Sequence, residues 1–174
     1  MILKDEKSSM IDLPMLTALQ TGRAVIIDSM TDRQLTETYY MIQEAAKNCE
    51  GYGMDEYETE KDFRGKIDGS HCFVIMCKER GEMIAAIIIA ASKFYRGPSE
   101  VADPLAIVRS SERQQSLGEF TMRTAIDFSR RLGYMGMYVD TFTNNVAARK
   151  IIEKIEGFRH VGFLPLAGRL GKER

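Results

Sequence analysis

The amino-acid sequence predicts an α+β fold in three layers. Its sheet is mixed but mostly antiparallel, with about six to seven strands and helices on both faces. Three observations carry this reading. His71–Lys78 and Met83–Ala91 are apolar runs joined by the short charged turn Lys-Glu-Arg-Gly-Glu, the pattern of an antiparallel hairpin with Gly81 at its bend. Met83–Ala91 is apolar at every position, so both its faces are covered and it lies centrally. Behind this hairpin, strand-like and helix-like segments alternate to the end of the chain.

Each element follows from its own pattern. Residues 1–20 mix charged and apolar groups without a period and read as an N-terminal extension packed on a single domain spanning 21–174. Arg23–Asp28 is a first strand. Thr31-Asp32 supplies a helix cap, followed by Leu35, Tyr39, Ile42 and Ala46 at helical spacing. Glu50-Gly51-Tyr52-Gly53 breaks that helix, and Glu58–Lys66 is a short second one. After the hairpin and a loop containing Gly97-Pro98, Pro104–Val108 is a fourth strand. Gly118–Leu132 is amphipathic at helical period and stops at Gly133. Met137–Phe142 is a fifth strand, Asn145–Ile155 a helix stopped by Gly157, and Arg159–Leu164 a sixth strand.

Composition narrows the function. With 174 residues, 44% of them hydrophobic and 28% charged, the chain matches an ordinary globular domain and not a disordered or fibrous one. Twenty-four basic against 25 acidic residues leave a formal charge of -1, which argues against a general nucleic-acid partner. The apolar run Met83–Ala91 is too short to span a membrane, and Met1–Asp12 is too acidic for a secretory signal. Cys49, Cys72 and Cys77 are an odd number without metal-ligand spacing; they read as reduced, buried thiols of a cytoplasmic protein that binds no metal.

The segment that carries chemistry is Ala106–Gly118. A strand ends at Ile107-Val108-Arg109, a polar loop follows, and a helix opens near Leu117-Gly118. Backbone N–H groups of such a loop, with the unpaired donors of the helix start, suit a pyrophosphate. Small residues at Ser116 and Gly118 let the backbone come close, and Arg113 adds a charge-assisted bond. A plain loop and helix start explains the segment equally well when it is read alone.

Arg113-Gln114-Gln115-Ser116-Leu117-Gly118 resembles the Arg/Gln-x-x-Gly-x-Gly/Ala signature of the GNAT superfamily of N-acyltransferases, with Ser116 in place of the first glycine. Leu132-Gly133-Tyr134, Asn145-x-x-Ala148 and Gly157-Phe158-x-x-Val161-Gly162 continue the likeness in register. It is good over 104–164 and only architectural over 23–100. The resemblance implies an acetyl-CoA donor bound where two adjacent strands splay apart, a backbone N–H near Val108 polarising the thioester carbonyl, and an Asn side chain (Asn144 or Asn145) on the pantetheine arm. It implies a small-molecule or peptide amine as acceptor. Ile152 stands where many members carry a tyrosine as general acid, seven residues after Asn145, and the chain ends only ten residues past Leu164. Those two departures favour the competing reading, a non-catalytic acyl-CoA-binding module or degenerate scaffold.

For the base that takes a proton from the amine, Asp103 is the first choice and Asp140 the second. Asp103 lies ten residues before Arg113, where some relatives carry a catalytic glutamate. Its alternative is a loop residue ahead of Pro104. The loop Asn48–Thr59 carries Glu50, Asp55, Glu56 and Glu58 and would favour a cationic acceptor. A sixth strand without a partner would invite pairing with a second copy, so a homodimer is a further expectation. His71, His160, Arg149 and Lys150 read as structural or solvated.

Overall fold

The computed structural model describes residues 11–93 and 100–164. Six strands form one sheet in chain order: β1 (Met15–Ala18), β2 (Ala24–Ser29), β3 (His71–Cys77), β4 (Met83–Ala91), β5 (Val101–Val108) and β6 (Gly136–Met137). All neighbours are antiparallel except β5 and β6, which run parallel. Four α-helices accompany them: α1 (Asp32–Lys47), α2 (Glu60–Lys66), α3 (Leu117–Arg131) and α4 (Val146–Lys154).

Local chemistry sets the ends of α1. Thr31 and Gln34 form a reciprocal capping box, in which each side chain accepts from the other's backbone N–H. The sheet alternates as its pleat requires. Phe73, Ile75, Ile87 and Ile89 face α3 (Ala125, Phe128, Leu132), while Val74, Ala86, Ile88 and Ile107 face α1 and α2 (Met41, Ile42, Phe63). β4 serves both cores, so its continuous apolar run is a consequence of burial on two sides. A bulge at Ile75/Met76 shifts the β3–β4 register by one residue.

The front of the chain departs from expectation in one respect. Within the stretch read as an extension, Met15–Ala18 is a strand on the edge of the sheet, paired with β2, and Ile11 and Leu19 are buried. Four residues with Pro14 ahead of them are too short to show a period. The hairpin, Met83–Ala91 and the three main helices lie where the sequence put them, and β5 starts three residues earlier, at Val101.

Two expected strands need correction. Met137–Phe142 shrinks to β6, paired only at Val101↔Gly136 and Ala102↔Met137, and Arg159–Leu164 carries no strand pairing. Val161, Phe163 and Leu164 are exposed. Their β-branched and aromatic residues imitate a strand, but pairing needs a neighbour, and the segment before it has already left the sheet. The thiol expectation is also corrected at one position: Cys77 is buried and Cys72 half-buried, but Cys49 is exposed.

The α3 core is anchored by Phe73 and Phe128, whose ring centres are 4.8 Å apart in an edge-on arrangement. Phe128→Ala should lower unfolding free energy by about 3–5 kcal/mol. Denaturant titration checks this; the midpoint should fall while the slope stays constant.

Candidate active site

The register of β5 decides what faces the gap beside β6. Arg109 N–H donates to Ile84 C=O (2.9 Å) and Ser92 N–H to Val101 C=O (2.8 Å), so the odd-numbered residues of β5 bond to β4. The even-numbered residues, Ala102, Pro104, Ala106 and Val108, therefore turn their backbone groups toward β6. Tyr138 N–H takes Ala102 C=O at 2.8 Å. The next bond of a parallel ladder needs an N–H from residue 104, and proline has none. The strands part there. Beyond Pro104 lies a cleft whose β5 edge offers the amide groups of Ala106 and Val108.

At the C-terminal end of β5 the chain enters the loop before α3, which opens with a 3₁₀ turn, Ser110–Glu112. Five polar side chains of this loop bond to groups elsewhere in the protein. The Arg109 guanidinium bonds Met83 C=O (2.8 Å) and pairs with Glu37 of α1. Ser110 Oγ donates to Glu44 Oε1 (2.9 Å), and Gln115 Oε1 accepts from Arg23 (3.1 Å). Arg113 pairs with Glu50 at 2.5 Å. Glu112 is 5% exposed and held by Arg23 and Arg80, which keep its carboxyl below the usual range. With its side chains so used, the loop presents backbone.

Ser116 is the N-cap of α3 in the left-handed region (φ 61, ψ 6), and its hydroxyl caps nothing. Gln114 is also left-handed (φ 65). The first-turn N–H groups of α3, at Leu117 and Gly118, thus have no side-chain cap, which suits a phosphate-bearing ligand. Gly118 has a packing reason as well: a Cβ there would meet Ile151 Cδ1 of α4 at 3.0 Å.

The two asparagines stand at the start of α4. Asn145 caps α4, its Oδ1 accepting from Ala148 N–H at 3.1 Å, and Asn144 Nδ2 donates to Cys49 C=O at 3.3 Å.

Asp103 and Asp140 share one electrostatic environment. Asp103 is half-buried within β5 opposite Ala90, on the strand itself and not in a loop ahead of it. Burial first, then the Asp140 charge, push its carboxyl above the ordinary range. Asp140 is exposed, beyond β6. Glu56 joins them: burial raises it most, with Asp140 adding to the effect, although Gly53 N–H bonds its carboxylate at 3.1 Å. Tyr57 and Tyr52 complete the group, both held protonated by burial and the neighbouring carboxylates. Tyr52 Oη donates to Ala106 C=O at 2.9 Å, inside the cleft. The sequence reading missed both tyrosines and treated Glu56 only as one acid of a charged loop. Nothing in Glu-Gly-Tyr-Gly signals that its tyrosine crosses to a strand 54 positions away.

Among the described residues, no group of three or more His, Cys, Asp or Glu side chains is set to hold a metal ion, and no helix is long and apolar enough to cross a membrane.

The model of the acetyltransferase (GNAT) family matches residues 34–158. No curated protein matches the chain in sequence. Solved structures do. A GCN5-related N-acetyltransferase from Kribbella flavida is 19% identical, with 85% of this chain and 90% of that one covered at a TM-score of 0.71. A ribosomal-protein-alanine N-acetyltransferase from Brucella melitensis is 17% identical, covering 84% and 92%, at 0.66. The yncA structure from Salmonella typhimurium with its cofactor acetyl-CoA is 15% identical, covering 74% and 76%, at 0.61.

Two measurements test the loop. Ser116→Gly should stabilise the protein by about 1 kcal/mol, because glycine adopts φ > 0 without the Cβ clash; thermal unfolding reads this as a rise in Tm. Glu112→Gln should cost on the order of 2 kcal/mol at neutral pH by leaving Arg23 poorly paired. Because folding lowers the Glu112 pKa from its usual 4.5, this contribution is present above that value and is lost as pH falls through the lowered one. The Tm gap between wild type and Glu112→Gln should therefore close in acid.

Proposed function

The chain belongs to the acetyltransferase (GNAT) family of acyltransferases, and from that premise we propose that it moves an acetyl group from coenzyme A to a primary amine by direct attack in the cleft beside β5. The observation that carries this reading is the meeting of two features at one end of β5: an open strand edge at Ala106 and Val108, and a loop that offers backbone N–H groups to an anion. Val108, Arg109 and the residues from Arg113 to Gly118 form the donor side, with Asn144, Asn145 and Ala148 across the gap. Ile107, expected with them, drops out because its backbone bonds β4 and its side chain lies in the core against α1 and α2. The yncA structure, solved with acetyl-CoA, supports the choice of donor.

The chemistry required of the protein is modest. The amine must be neutral to attack, and a positioned carboxylate takes its extra proton. Asp103 has that role, directly or through a water, with Asp140 as the neighbour that keeps its pKa up. An N–H on the β5 edge, at Ala106 or Val108, polarises the thioester carbonyl and stabilises the oxyanion as the C–N bond forms. The C–S bond then breaks and sulfur keeps the electron pair. Ile152 offers no proton, so water protonates the thiolate, a leaving group that needs little help. Glu56, Asp103 and Asp140 together draw a cationic acceptor.

Incubation with acetyl-CoA and a panel of primary amines, following thiol release, tests the assignment; release without any acceptor dependence would sink it. Asp103→Asn should lower kcat about 10²–10³-fold with CoA affinity unchanged, and the defect should shrink as pH rises and free amine becomes abundant. Asp140→Asn removes a charge that raises the Asp103 pKa. Its acid limb in the pH–rate profile should move to lower pH, and an unmoved limb would take Asp103 out of the mechanism.

A further inference from the structure

The stretch from Cys49 to Tyr52, between α1 and α2, touches both walls of the cleft and its floor. Cys49 C=O accepts from Asn144 Nδ2 (3.3 Å), and Glu50 pairs with Arg113 (2.5 Å). Gly51, at φ +91, lies so close to Asn145 that a Cβ would come within 2.1 Å of its Nδ2. Tyr52 Oη donates to Ala106 C=O (2.9 Å). Four consecutive residues thus occupy four groups assigned above to the donor side. The chemistry matches as well as the positions: the Glu50 carboxylate supplies an anion to Arg113, and the Tyr52 hydroxyl supplies a donor to a strand-edge carbonyl.

We propose that residues 49–52 are a strap that competes with the acyl-CoA donor for its own contact points, so that donor binding must lift the strap. The proposal rests on the acyl-CoA reading of the cleft. The strap is lightly held. The Arg113–Glu50 pair is about one-third exposed on each side (33% and 36%), where ion pairs contribute little, and Cys49 sits at φ 57, unfavourable for a residue with a Cβ. Its release also reaches the acceptor side. Glu56 and Tyr57 follow Tyr52 on the same loop, and Glu56 is tied back to it through Gly53 N–H. Lifting the strap for the donor therefore also moves the loop that carries the carboxylate cluster.

Hydrogen–deuterium exchange and CoA titration of the full chain, with Tyr52→Phe and Glu50→Gln, test this. In free wild type, residues 49–53 should exchange more slowly than in either variant. Added CoA should speed exchange at 49–53 while slowing it at 113–119. Both variants should bind CoA about three- to tenfold more tightly, since the binding-competent fraction is larger. Equal CoA affinity in wild type and variants, or weaker binding in both, overturns the strap and leaves the acyl-CoA reading standing. A strap that exchanges as fast in free wild type as in Tyr52→Phe overturns it without reference to CoA. CoA binding in no variant, although the strap exchanges freely, overturns both.

Discussion

One missing hydrogen-bond donor organises the molecule. A parallel strand can stay beside β5 only while β5 returns an N–H at every second residue, and at position 104 that residue is proline. The sheet ends where the ladder fails. Up to Ala102 the strands are paired; past it the chain after β6 leaves the ladder and goes on into α4. The opening leaves polar edge groups of β5 facing space between two packed layers. Backbone groups so close to a core need partners, and Tyr52 supplies one of them to Ala106 C=O.

The second constraint is electrostatic. The loop from Arg109 to Ser116 contains two cations that composition alone would offer to a phosphate, yet Arg109 and Arg113 both pair within the protein, as does Glu112. Glu112 is the deepest of them, and Arg23 and Arg80 come to it from the start of β2 and the β3–β4 turn. Fixing the loop from its side chains frees its backbone to face outward. Two left-handed residues, Gln114 and Ser116, then turn the chain sharply into α3. The result is a loop and an uncapped helix start, the chemistry that suits an anion, in which formal charge is used mainly to hold shape.

Across the cleft the charge balance is reversed. Burial and then the Asp140 charge push the Asp103 and Glu56 carboxyls up, burial and all three carboxylates push Tyr57 up, and Lys66 spends its ammonium on the Glu56 carbonyl and the Tyr57 ring. Such a cluster of carboxylates favours positive charge nearby. One loop between α1 and α2 carries Glu50 and Tyr52, which meet Arg113 and Ala106, as well as Glu56 and Tyr57.

The sequence by itself determined the elements whose cause is local. Thr31 with Gln34 caps α1, Gly81 closes the hairpin, the apolar run Met83–Ala91 demands a central strand, and the helical period before Gly133 demands α3. It also placed the strand end, the loop and the helix start over Ala106–Gly118, because their signals are contiguous. It could not decide β1, which is too short to carry a period, nor the fate of Met137–Phe142 and Arg159–Leu164, whose β propensity is real but finds no partner. The charged groups of the cleft were legible as residue types and not as neighbours: Asp103 and Asp140 were picked out, while Tyr52, Tyr57 and the role of Glu56 were not. The crossing of Tyr52 to Ala106 and ion pairs such as Glu112 with Arg23 join residues 54 and 89 positions apart. No local pattern encodes such contacts. They exist only once the layers have packed, because the energy that selects them comes from desolvation and geometry that the extended chain does not possess.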